Sequence, residues 1–340
     1  MGVPPRARSA LVAGMLAAAA LAAVDLAPPP ARAGGPVHGG SPAVAASITA
    51  GAAPAEGGRP AGVLTGPGDH VVRLRHAGIE RWAVVHVPAA VGPGPRPTLF
   101  HFPGMFETPE MAEESGDLTS YADRTGYLLV IPAHEGIGWR GVPGGEEPSD
   151  VDDPGFIRAL ADLVISRYGA DPARLYASGM SNGGLFTQAL ACQEADRFAA
   201  FATVAGSATG FGCLAGAPGA AGGPHPVPML VIHGAEDQVI RYAQAEAGAR
   251  AWALAAGCAG PTVDSSLTDL DPGDGTTVVR HDFAGCPAAT PVLLYEVVGG
   301  GHTWPGGAAL YPVEIVGRVS GDLDANAAIW DFVSRFRLPR

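Results

Sequence analysis

From residue 81 onward, the pattern of apolar and polar positions predicts strands and helices by turns. "RWAVVHV" (Arg81 to Val87) and "RPTLFHF" (Arg96 to Phe102) are β-rich, with Pro97 near the start of the second. "EMAEESGDLTSYADRTG" (Glu110 to Gly126) reads as one helix closed by glycine. "YLLVIP" (Tyr127 to Pro132) is a continuous apolar run, the pattern of a strand buried on both faces. In "GFIRALADLVISRYG", Phe156, Ile157, Leu160, Leu163 and Val164 fall on one helical face, with Asp153 as expected N-cap and Pro154 in the first turn. "RLYASG" (Arg174 to Gly179) is the next strand and "GGLFTQALACQEA" (Gly183 to Ala195) the next helix. Apolar strands follow at Phe198 to Gly206, Val227 to Gly234 and Pro291 to Gly300. This alternation predicts one doubly wound α/β domain, a single mostly parallel sheet flanked by helices.

The pattern is absent before residue 66. Arg6 and Arg8 precede an apolar run, Ala10 to Val24, of about the length of a signal h-region and short for a bilayer span. "ARA" (Ala31 to Ala33) has the small-x-small form of a cleavage site. Residues 1–33 are therefore expected to be a signal peptide, with a retained anchor as the alternative. Residues 34–65, mostly Ala, Gly and Pro, cannot bury a core and are expected to be a linker. Residues 66–340 remain for the folded domain, and the protein is expected outside the cell.

Composition narrows the partners. The net charge is −12, and all 21 basic residues are arginine. That balance argues against nucleic acid or an anionic membrane surface, and no membrane contact is expected after signal cleavage. The oligomeric state is not legible. Cys192, Cys213, Cys258 and Cys286 form an even set without CxxC spacing, which points to disulfides and away from metal. Three pairings are open. The sequential one is preferred because each bridge brackets a local excursion and closes a loop worth roughly 3 kcal/mol.

The candidate chemistry starts at "GMSNGG" (Gly179 to Gly184), where Ser181 lies between a strand and a helix. That is the context of a nucleophile elbow, and Asn182 behind it offers a backbone N–H to an oxyanion. Active residues of doubly wound sheets gather at the carboxyl ends of strands. Two later strands end in "HGAEDQVIRY", with Glu236 and Asp237, and in "GGGHTWPGG", with His302. The order Ser181, Asp237, His302 is that of α/β-hydrolases, with Glu236 as the competing acid. Among the other histidines, His101 and His233 stand at strand ends, where structural roles suit them.

"GMSNGG", "HGAEDQVIRY" and "GGGHTWPGG" resemble the matching blocks of the extracellular polyhydroxybutyrate depolymerase-like esterases, a family that includes feruloyl and acetyl-xylan esterases. The resemblance covers roughly Gly66 to Arg340. It implies an α/β-hydrolase fold, Ser181 as nucleophile, His302 as base and Asp237 as acid, with no metal or other cofactor. It also supports the Cys192–Cys213 and Cys258–Cys286 pairing. One block departs: "LFHFPGMFETPEM" has Phe102 where a glycine is expected and then Pro103, which has no N–H to donate. Gly104 or Met105 is expected to donate to the oxyanion instead, and Phe102 to limit the acyl pocket. Trp139 and Trp304 are further candidates for the pocket wall, and the loop from Gly136 to Ser149 for its rim.

The resulting expectation is a secreted serine esterase for a small ester, or for a polyester or polysaccharide ester. The chain ends soon after its last helix, which favours small or soluble esters. A secreted binding protein that keeps the fold with weakened catalysis is the alternative, motivated by "HFPG". A serine peptidase is a third reading.

Overall fold

A computed structural model describes residues 66–89, 94–142, 151–215 and 226–339. The expected signal peptide and linker, and residues 143–149 of the expected rim loop, lie outside the described residues. The strands are β1 (Gly68–His76), β2 (Ile79–Val87), β3 (Arg96–Phe102), β4 (Leu128–Pro132), β5 (Ala170–Met180), β6 (Ala200–Val204), β7 (Met229–Gly234), β8 (Thr262–Ser266), β9 (Thr277–Phe283) and β10 (Val292–Val298). They form one sheet in the order β1-β2-β4-β3-β5-β6-β7-β10-β9-β8. The run from β4 to β10 is parallel, and an antiparallel pair flanks it on each side.

The helices are α1 (Pro109–Gly116), α2 (Leu118–Thr125), α3 (Asp153–Tyr168), α4 (Asn182–Gln193), α5 (Tyr242–Ala256), the short α6 (Val313–Val316) and α7 (Ala325–Val333). Because strand side chains alternate, each parallel strand feeds two cores. Phe100, Val130 and Val231 face a core with Phe156 of α3, Phe186 of α4 and Trp252 of α5. Their neighbours Leu99, Leu129 and Ile232 face the other, with Leu118 of α2 and Ile329 and Phe332 of α7. Helices on both faces explain why β4, β6 and β7 are buried throughout.

Two local expectations are corrected. The helix read over 110–126 is two helices, broken at Asp117, which takes a left-handed conformation (φ 49°). Glu113 sustains the break: its carboxylate accepts from the Thr119 N–H at 3.0 Å in the first turn of α2. The N-cap of α3 is Asp152, which accepts from the Gly155 N–H at 2.9 Å. Asp153 instead turns inward to an ion pair with Arg81 at 2.7 Å, in which both side chains are buried. Both disulfides are sequential, Cys192–Cys213 and Cys258–Cys286.

Candidate active site

At the carboxyl ends of β7 and β10 the loops of Asp237 and His302 meet, and Met180, the last residue of β5 and next to Ser181, shares a cleft with His302. Ser181 lies between β5 and α4 in a positive-φ conformation (φ 54°, ψ −122°), at the N-cap position of α4 but without a side-chain cap bond. Its N–H donates to the Val204 carbonyl of β6 at 2.9 Å, so the bend is fixed by the neighbouring strand. A positive φ is costly for a residue with a side chain, and such outliers cluster at functional sites. The tightness of the bend depends on Gly183, where a Cβ would collide with the Phe102 and Pro103 carbonyl oxygens.

The loop after β7 presents Asp237 and the loop after β10 presents His302. A Cβ at Gly234 would meet the backbone of Gly300 and Gly301, so the two loops touch main chain to main chain. Asp237 Oδ2 lies 2.7 Å from His302 Nδ1. Its Oδ1 accepts from the N–H groups of Val239 at 2.8 Å and Ile240 at 2.9 Å. Glu236, the competing acid, turns outward to Arg318 at 3.3 Å. His233, one turn behind, donates from Nε2 to the Ile240 carbonyl at 2.7 Å and lies 3.2 Å from Asp237 Oδ2.

Burial alone would raise the Asp237 carboxyl, but attraction to His302 and hydrogen bonds from His233 and His302 outweigh it and hold the group ionised, well below its ordinary range. Burial works against charge on His302 too, yet Asp237 and then Glu107 outweigh it and raise the imidazole above its ordinary value. With Nδ1 committed to Asp237, His302 Nε2 is buried without a hydrogen-bond partner among the described residues. The pair is arranged to accept a proton at Nε2. Burial pushes His101 down to about 3. His101 lies under the site, with Nδ1 3.2 Å from Ser178 Oγ and its ring edge-on to Trp304.

The segment after β3 departs from the sequence expectation. The Gly104 N–H donates to Glu107 Oε2 at 2.7 Å, so this oxyanion candidate is already occupied. Gly104 nevertheless abuts the elbow: a Cβ built on it would lie 3.5 Å from Ser181 Cβ. Met105 is half-buried beside it. Asn182 opens α4, where a helix N–H has no intrahelical acceptor. Its side-chain oxygen accepts from the Trp139 N–H at 2.7 Å, and the Trp139 indole donates to the Pro103 carbonyl at 2.9 Å.

The expectation that Phe102 and Trp139 line a substrate pocket is corrected. Phe102 is wholly buried, edge-on to both Trp139 and Phe186, and Trp139 stacks on Phe186 with centroids 4.5 Å apart. They form the floor behind the elbow. Trp304 does line a narrow cleft, with Glu107, Met180, His302 and Tyr311. Sequence reasoning overlooked Glu107 and the part Trp139 plays in holding Pro103.

A serine on a strained strand-to-helix bend, with an ion-paired imidazole presented from a later strand of a parallel sheet, defines an α/β-hydrolase. Residues 146–209, which include the elbow, match the prolyl oligopeptidase family. The chain is 29% identical to "Putative esterase NocK" of Nocardia uniformis subsp. tsuyamanensis, over 98% of this chain and 99% of that one. It is 29% identical to feruloyl esterase C of Emericella nidulans, over 52% of this chain and 56% of the relative, so it spans only about half of that protein. Its fold matches the acetyl xylan esterase of Aspergillus awamori with a TM-score of 0.50 at 16% identity, over 69% of this chain and 94% of that one. The chain thus has the α/β-hydrolase fold and is similar along nearly its whole length to an esterase.

Proposed function

We propose that this carboxylic ester hydrolase works through Ser181, His302 and Asp237, on small or soluble esters such as short hydroxyalkanoate esters or acetyl and feruloyl esters of polysaccharide. The observation that carries the reading is the Asp237–His302 contact of 2.7 Å with Nε2 left without a partner. His302 takes the proton of Ser181 Oγ as the oxygen attacks the ester carbonyl. Asp237 orients the ring and balances its charge. The alcohol leaves with the proton from His302, which then activates water to free the acid. The Asn182 N–H supports the oxyanion, with Met105 as its partner while Glu107 occupies Gly104. No metal or organic cofactor enters these steps.

The same machinery serves amides, and the match to prolyl oligopeptidases over 146–209 favours peptidase activity as a second reading. Secretion is also part of the proposal, supported by the two disulfides, which persist in oxidising compartments. The test is hydrolysis of p-nitrophenyl acetate and of a chromogenic peptide by wild type and Ser181→Ala, with fluorophosphonate labelling. The expected result is ester turnover that falls by about four orders of magnitude in the variant, and one adduct that the variant lacks. Labelling that survives in Ser181→Ala, or turnover of the peptide alone, would sink the assignment.

A further inference from the structure

The proposed reaction gives Glu107 no part, although its side chain reaches the centre of the site. The turn that carries it is closed twice. The Glu107 N–H donates to the Gly104 carbonyl at 3.2 Å, and the Gly104 N–H donates to Glu107 Oε2 at 2.7 Å. Phe106, between them, is held at a positive φ of 65°, and its N–H donates to the Ile137 carbonyl at 2.8 Å. Glu107 lines the cleft of His302, Trp304 and Tyr311, and also a larger one of about 360 Å³ with Trp82, Phe106 and His134. Its carboxyl therefore stands between two clefts, against the glycine that abuts Ser181.

A carboxylate is a costly choice for this place. A neutral acceptor would close the turn as well, without burying a charge. Burial pushes the Glu107 carboxyl up, against the Gly104 hydrogen bond and the attraction of His302, the only cationic group acting on it among the described residues. The influence is mutual, since Glu107 adds to Asp237 in raising His302. The other titratable neighbours are few. His233 lies behind Asp237. Tyr311 lies across the cleft, raised by burial and then by Glu107 and Glu114. His134 in the second cleft is lowered, chiefly by burial.

We propose that Glu107 is a positioning residue that acts through Gly104 and His302: it fixes the turn beside Ser181 and sets the pH at which the site becomes competent. The inference rests on His302 as the base. The Gly104 hydrogen bond and the attraction of His302 favour ionised Glu107 against burial, and in that form it stabilises the imidazolium, which cannot accept the serine proton. Removing that anion lets the ring lose its proton at lower pH, so competence should begin earlier.

Glu107→Gln and Glu107→Ala in the full chain test this. Glutamine keeps an oxygen for the Gly104 N–H and removes the charge. For Glu107→Gln, the acid limb of kcat/KM on p-nitrophenyl acetate should move down by about half a pH unit or more. The limb should move likewise in Glu107→Ala, and the plateau should fall about tenfold because the turn loses its closing bond. NMR titration of the His302 ring in wild type and Glu107→Gln reads the same shift without turnover. An unmoved ring titration would overturn the proposal, as would an unmoved acid limb in an active Gln variant. A shifted titration in a protein with no ester turnover would support the coupling and defeat the esterase reading, so the two failures are distinguishable.

Discussion

Asp237 and His302 have opposite consequences for pH. The folded state raises His302 above its ordinary 6.5, so a base-competent neutral ring accumulates only above that pH. The wild-type profile of kcat/KM should therefore have an acid limb centred above about 6.5, checked with a non-ionising ester substrate. The stability signs follow the same directions. The His302 contribution is present below the unfolded value and lost as pH rises through the raised one. The Asp237 contribution is present above the unfolded carboxylate value and lost as pH falls toward the depressed one. Ser181, Asp237 and His302 stand out as candidates in the sequence because each follows a strand and two lie among glycines. Glu107 does not, because its bond to Gly104 exists only in the folded turn. Phe102 was misread although a signal was present. It lies two residues after Phe100 on β3, and residues two apart share a face, so the core side was the one to expect.

The parallel strands were all located, since continuous apolar runs between helices admit little else, although β5 starts four residues earlier than read and β6 is shorter at both ends. β8 and β9 were missed because their burial and hydrophobicity are low: β8 reads "TVDSS" and is mostly exposed. The α1–α2 break was hidden because Glu113, Asp117 and Thr119 are all compatible with an unbroken helix until the Glu113–Thr119 contact forms. The inward turn of Asp153 is a further case. It pairs with Arg81 of β2, accepts from the Arg140 N–H at 2.8 Å, and the guanidinium lies 4.0 Å from the Phe156 ring centroid. This pair ties the hairpin end of the sheet to α3. Asp153→Ala leaves a buried guanidinium without its closest anion. It should cost about 3–5 kcal/mol in urea unfolding, while Asp152→Ala, which loses a cap and a half-exposed contact with His76 at 2.9 Å, should cost about 1–2 kcal/mol.

At the scale of the molecule, the fold class followed from the order of elements, whereas the main-chain contact between the loops of Asp237 and His302 did not. The bridges lie away from those loops: Cys192–Cys213 anchors the end of α4, and Cys258–Cys286 joins the end of α5 to the segment after β9. Replacing either pair by serine should lower unfolding stability by about 2–4 kcal/mol, measured in denaturant, and leave kcat/KM of the folded fraction within about threefold. The close approach at Gly183 and Gly234 has a consequence for how such a protein can change over time. Every replacement for glycine carries a Cβ, and at both positions that atom would meet main chain rather than a side chain that could step aside. No gradual route by small steps leads away from either residue. Lineages that keep the activity are confined to glycine there, and diversification must be sought in the walls of the clefts.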